Sequence, residues 1–100
     1  MAKGYWIARV DVHDAENYKG YLEANAAPLK KFGAKFLVRG GKFHCPEGGH
    51  RARNVVIEFP TYQAAYDCWY SPEYQAAIGK RTPFSVGDFL IIESYEGAQP

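Results

Sequence analysis

The sequence predicts an α+β domain: one four-stranded antiparallel sheet with its helices on a single face. Three observations predict it. Four strand-like stretches and two helical ones follow each other in the order βαββαβ. The chain has 100 residues, room for one domain over 1–100 and no more. Hydrophobic residues make up 47% and charged residues 23%, enough apolar surface for a core without metal or disulfide staples.

The first element is Lys3 to Val12. Trp6, Ala8, Val10 and Val12 alternate with Tyr5, Ile7, Arg9 and Asp11. Both sets begin apolar, so this strand is central and covered on both faces for much of its length. Asp14 then offers an N-cap, and Glu16 suits the positive end of a helix dipole. Ala15, Tyr18, Leu22, Ala26 and Leu29 recur at helical spacing as far as Gly33, a left-handed stop. Pro28 removes one backbone bond and presses on the carbonyl of Ala24, so the helix should kink or break near Asn25–Pro28.

Ala34 to Cys45 reads as the second strand, interrupted by a bulge or close approach at Gly40-Gly41. Pro46 to His50 is a turn. Arg53 to Phe59 is the third strand, with Val55, Ile57 and Phe59 on one face and Asn54, Val56 and Glu58 on the other, and Pro60 ends it. Thr61 caps a second helix whose apolar face is Tyr62, Ala65, Tyr66 and Trp69. Ser71-Pro72-Glu73 is a fresh helix start, and Tyr74, Ala77 and Ile78 carry the stripe to about Arg81. Phe84 to Asp88 is a loop, and Phe89 to Tyr95 a fourth strand, apolar on both faces.

Two split β-α-β units of this kind make a ferredoxin-like sheet of strand order 4-1-3-2. The helices cover one face, yet the strands are apolar on both. A lone domain would show water a large apolar patch, which a second copy packed sheet to sheet would remove. A homodimer is therefore expected.

Several partners are disfavoured. A net charge of +1 removes the electrostatic reason for a nucleic-acid backbone or an anionic membrane. The third strand lacks the aromatic signature of RNA-binding sheets. No apolar run is long enough to span a bilayer or act as a secretion signal. Cys45 and Cys68 are too few for a disulfide framework and read as reduced thiols, which points to the cytoplasm. Neither glycine-rich phosphate loop pattern is present, and no cofactor is expected.

Five pieces of sequence then resemble a known family. They are Lys3-Gly4-Tyr5-Trp6, Val38-Arg39-Gly40-Gly41, Val56-Ile57-Glu58-Phe59-Pro60, Trp69-Tyr70-Ser71-Pro72-Glu73-Tyr74-Gln75 and Arg81. In this order they look like the DUF1330 family of the dimeric α/β-barrel superfamily, from Lys3 to about Glu96. The resemblance implies a ferredoxin-like subunit, a barrel-like dimer, and kinship with cofactor-free monooxygenases and muconolactone isomerases. The family has no settled activity, so it carries over no catalytic roles.

Three constellations remain as candidates. Arg39 and Glu58 lie equally far from the centre of the Gly48-Gly49 turn and should face each other across two strands. Such a pair could hold an anionic group (Arg39) and position it or shuttle a proton (Glu58), and equally could fix register at a dimer seam. The aromatic set Tyr18, Tyr62, Tyr66, Trp69, Tyr70 and Tyr74 could wall a pocket for a flat organic molecule, although helical spacing suits most of them to the core. Asn25 interrupts the apolar stripe between Leu22 and Leu29 and should meet a partner or a cavity. We expect Asn25, Trp69, Tyr74 and Tyr18 to bind substrate. Last, His44, Cys45, Glu47 and His50 are metal-ligand types on one turn, but their spacing matches no standard site, so no metal is expected.

The function expected is that of a cofactor-independent oxidoreductase or isomerase acting on a small apolar or aromatic molecule. The alternative is a binding or structural dimer without turnover.

Overall fold

The computed structural model describes residues 2–100. Its strands are β1 (Gly4–Val12), β2 (Lys35–Arg39), β3 (Arg53–Phe59) and β4 (Ser85–Glu93). Its helices are α1 (Ala15–Ala24), α2 (Ala26–Lys31), α3 (Tyr62–Tyr70) and α4 (Pro72–Ile78), and a 3-10 turn at Thr82–Phe84 leads into β4. The strands form one antiparallel sheet in the order β2-β3-β1-β4, the expected 4-1-3-2 read from the other edge. The fold is ferredoxin-like.

Local chemistry explains the helix boundaries. Asp14 accepts the Asn17 N–H at 3.1 Å and caps α1. The predicted break falls at Asn25, which ends α1 and starts α2: its N–H donates to Tyr21 O, and its carbonyl accepts from Leu29 N–H. Pro28 thereby sits in the first turn of α2, where a missing N–H costs little. Gly33, at φ +75°, turns the chain back toward β2. Thr61 caps α3 by accepting from Ala64 N–H, and Ser71 caps α4 by accepting from Tyr74 N–H.

Side-chain alternation divides the sheet into two faces. Trp6, Ala8 and Val10 of β1 and Val55, Ile57 and Phe59 of β3 point to the helices and are buried. Trp6 is central: its ring packs on Phe59, Tyr74 and Trp69 at centroid distances of 5.0, 4.8 and 5.5 Å, and its indole N–H donates to Ala65 O at 2.9 Å. Gly4 lets β1 pass close under α3; a Cβ there would stand 2.5 Å from Tyr62 Cα.

On the opposite face the register Val38↔Val56↔Ile7↔Leu90 sets one aliphatic residue from every strand in a row. Val38 is 44% and Leu90 48% exposed, and among the described residues no helix covers them. The neighbouring row, Lys35–Glu58–Tyr5–Ile92, is mixed. The far end of this face is polar: Arg9 lies between Asn54 and Asp88. The loop returning to β3 is tied down there. Arg51 Nε donates to Asp88, its Nη1 donates to Asp11, and Asp11 also accepts from Ala52 N–H. The helix-free face is thus apolar across its middle and charged at one end.

The structure differs from the sequence expectation at several points: the strand bulge lies at Leu37 rather than at Gly40-Gly41, and β4 ends at Glu93 rather than Tyr95. β2 ends at Arg39 rather than continuing to Cys45, because the long connection through residues 40–52 is irregular and ladders with nothing beyond Gly40. β4 begins at Ser85 rather than Phe89, since β1 extends to Val12 and supplies partners for residues 85–88. The stripe of α4 stops at Ile78, short of Arg81. The buried face of α3 is Ala65 and Cys68, whereas Tyr62, Tyr66 and Tyr70 stack along its outer side. A face set close to the sheet at Gly4 has room for small residues and not for tyrosines.

Candidate functional site

A cavity of about 30 Å³ lies between α1 and the helix-facing side of the sheet. It sits over Ala8, the smallest side chain of the row Arg39↔Val55↔Ala8↔Phe89. Trp6, Tyr18, Tyr21, Phe36 and Phe89 give it aromatic walls, and Asn25, Arg39 and Arg53 are its polar members. Two surface recesses open beside it. One of about 400 Å³ is lined by Val12, Ala15, Tyr18, Lys19, Leu22 and Arg53 among others. The other, of about 290 Å³, runs along Leu22, Asn25, Leu29, Lys30, Phe36 and Arg39. Leu22 lines all three.

Arg39 reaches this side through a bulge in β2. Phe36 faces Ile57, but Val38 faces Val56 and Arg39 faces Val55, so one extra residue at Leu37 reverses the alternation. Arg39 therefore joins the helix-facing set, with its guanidinium stacked on Phe36 at 4.0 Å from the ring centroid. The expected Arg39–Glu58 opposition is not formed. Glu58 faces Lys35 and Tyr5 on the helix-free side, where it pairs with Lys3 at 3.3 Å and accepts from the Tyr5 hydroxyl. Counting outward from Gly48-Gly49 fails because the connection is not a symmetric hairpin and because the bulge shifts the ladder.

Of the residues expected to bind substrate, Asn25 and Tyr18 line the cavity. Asn25 is buried and its side chain makes no capping bond. Burial pushes the Tyr18 hydroxyl above the ordinary tyrosine range, with the charges of Arg53 and Arg81 pulling the other way. At neutral pH it is a hydrogen-bond donor. Trp69 and Tyr74 lie elsewhere. Tyr74 is fully buried in the core, its hydroxyl 2.6 Å from that of Tyr21. Trp69 lines a separate outer recess of about 300 Å³ with Tyr62, Tyr66 and Tyr70.

Sequence reasoning missed Arg53 and Arg81. The alternation Arg53, Val55, Ile57, Phe59 already placed Arg53 on the core-facing side. Arg81 had a weaker signal, a cation at the end of an apolar stripe. It is only 8% exposed, and its guanidinium carbon lies 4.2 Å from the Phe89 ring centroid, 5.4 Å from that of Tyr21 and 5.9 Å from that of Trp69. Its Nε has no hydrogen-bond partner, and no carboxylate pairs with it among the described residues.

The residues of the 40–52 connection do not converge on a metal site. Among the described residues no three His, Cys, Asp or Glu side chains come together. The Cys45 thiol instead donates to the carbonyl of Glu47 at 3.3 Å, and His50 lies beside the Phe43 ring. Burial pushes the Cys68 thiol up to about 12, which leaves it protonated and inert.

The model of the family described as "Domain of unknown function (DUF1330)" matches residues 3–95. No protein of curated function matches the chain in sequence. Among solved structures, the methylated RPA0582 protein of Rhodopseudomonas palustris is similar over 98% of this chain and 84% of its own, with TM-score 0.75 and 16% identity. SnoaB, a cofactor-independent oxygenase from Streptomyces nogalater, is similar over 97% of both chains, with TM-score 0.64 and 11% identity. A dimeric ferredoxin-like protein of unknown function from Thermobifida fusca is similar over 93% of this chain and 90% of its own, with TM-score 0.54 and 15% identity. At such identities the likeness is one of fold.

Proposed function

The chain belongs to the DUF1330 family, and from that premise we propose that it is a cytoplasmic homodimer that takes a small apolar or aromatic organic molecule into the cleft between α1–α2 and the sheet and converts it without a cofactor. The observation that carries this reading is the convergence of aromatic walls with Asn25, the Tyr18 hydroxyl and Arg39 over Ala8.

The chemistry available there is stabilisation rather than proton abstraction. A protonated Tyr18 can donate to a developing oxyanion, and the guanidiniums can balance its charge. Neither a carboxylate nor a histidine lines the cavity, so no general base is built in. The reaction suited to such a site begins with a substrate that ionises readily, as an enol or phenol does. An oxidoreductase reaction is favoured on this ground over an isomerase that would need its own base. The name of SnoaB, a cofactor-independent oxygenase on the same fold, is in keeping with it.

A second reading rests on size. A space of about 30 Å³ is filled by one or two waters, well short of a benzene ring. Turnover therefore requires Leu22 to swing aside and join the cavity to its recesses. If it does not, the domain is a binding or structural dimer. Titration of the 15N-labelled protein with a set of small phenols tests the choice, read at the Trp6 indole N–H, with substrate loss and oxygen uptake followed in parallel. Binding with turnover supports the enzyme, binding alone supports the second reading, and Leu22→Trp should block both. No shift at Trp6 with any phenol would refute the ligand site.

The dimer is proposed from the aliphatic row Val38–Val56–Ile7–Leu90, which no helix covers among the described residues. Light scattering should give twice the 11.3 kDa chain mass, and Leu90→Lys should return it to one. A monomeric parent protein would refute the pairing.

A further inference from the structure

The cleft has an unbalanced charge. Arg39, Arg53, Lys19 and Lys30 line the cavity and its two recesses, and not one Asp or Glu does. Lys19 is paired outward with Glu16. Arg39 and Arg53 take part in no ion pair among the described residues. Both line the cavity: the Arg39 guanidinium lies over Phe36, and Arg53 Nη1 would be 3.4 Å from a Cβ at Gly40, the residue after Arg39. Behind the Tyr21 and Phe89 walls stands the third guanidinium, Arg81, buried and with an orphaned Nε. A buried cation without a counter-ion is costly, and stacking on three rings offsets only part of that cost. Arg39 and Arg53 thus line one aromatic space that holds no acid, with Arg81 behind its wall, so an anion entering the cleft meets cations alone.

We infer that the ligand of this cleft is a small planar monoanion, a carboxylate or ionised enol on an unsaturated body, with its charged end held between Arg39 and Arg53. The inference rests on the ligand site proposed above and adds the class of molecule it takes. The walls argue against inorganic phosphate: most of them are rings and aliphatic side chains, which a flat organic body fills and a hydrated phosphate does not. A flat body stacks on Tyr18, Tyr21 and Phe89, and the planar guanidinium forks match the two oxygens of a carboxylate.

The test compares two near-isosteric probes, benzoate and benzamide, by NMR titration at the Trp6 indole N–H. Benzoate should bind at least about tenfold more tightly than benzamide, because a charge-assisted pair is lost with the amide. That preference should weaken with added salt, vanish in Arg39→Gln and Arg53→Gln, and survive in part in Arg39→Lys. Lys35→Gln, on the helix-free face, should leave it unchanged. Equal binding of both probes would overturn the inference and leave the ligand site standing. Preference retained in both glutamine variants would also overturn it, since the charge selection would then come from elsewhere. Failure of both probes to move Trp6, with the small phenols failing too, would bring down site and inference together.

Discussion

Removing one oxygen atom from the core tests the packing argument at a buried polar contact. The hydroxyls of Tyr21 and Tyr74 meet at 2.6 Å, and both side chains are shut from water. Tyr74→Phe keeps the ring that stacks on Trp6 and Trp69 at 4.8 and 5.2 Å, so the apolar contacts persist. What changes is polar satisfaction. Tyr21 is left with a hydroxyl that has lost its buried partner, which costs about 1–3 kcal/mol. For a domain of this size that lowers the Tm by roughly 5–15 °C. Tyr21→Phe should cost somewhat less, because the remaining Tyr74 oxygen still lies beside Arg81. The double variant should be less destabilised than the sum of the singles by about 1–2 kcal/mol, since no stranded hydroxyl remains. Urea denaturation followed by circular dichroism gives all four free energies. Strict additivity would mean that the two hydroxyls are not coupled, and the account of this core would be wrong.

Three further outcomes are expected. Gly4→Ala should lower stability by about 2–4 kcal/mol in the same assay, because the new methyl meets backbone atoms of Thr61 and Tyr62 at 2.6 and 2.5 Å rather than a movable side chain; a loss below about 0.5 kcal/mol would show that the α3 start yields freely. The Asp11 carboxyl is held below its ordinary value, first by the Ala52 N–H and then by Arg51. A depressed folded-state pKa stabilises above the unfolded value near 3.9 and loses that contribution as pH falls through the folded one. The protection factor of the Ala52 amide should therefore persist to a pH below the ordinary aspartate range in the parent protein before it is lost, and be near unity at every pH in Asp11→Ala. Iodoacetamide at neutral pH should label Cys45 and spare Cys68, read by peptide mass spectrometry; rapid labelling of Cys68 in folded protein would contradict its burial.

What could be read from the residues depended on how local the deciding physics was. The bounds of β3 follow from Arg53 to Phe59 alternating up to a proline, and the break at Asn25 follows from Pro28 needing a first-turn position. Both are settled within a few residues. The register of β2 against β3 is not. It depends on an irregular connection and on a bulge at Leu37 that no residue in the strand announces, so Arg39 could be named and its partner could not. Tyrosine spacing on α3 was ambiguous for another reason: Tyr62, Tyr66 and Tyr70 suit a buried stripe or a wet one, and only the closeness of β1 at Gly4 decides for Ala65 and Cys68. Arg81 was overlooked because nothing in its neighbourhood marks it as enclosed; three rings from three separate elements do that.

The extra residue in β2 makes the placement of a positive charge hostage to strand register. Pairing Leu37 into the ladder opposite Val56 would restore plain alternation, swing Arg39 to the side now occupied by Val38, and bring Val38 over Val55 in its place. A slip of one position would thus empty the chamber of a cation and plant it on the sheet's bare side, whereas losing Leu37 itself would leave Arg39 where it is. A slip of that kind alters two surfaces at once, which makes it a more drastic event than drift in any single side chain.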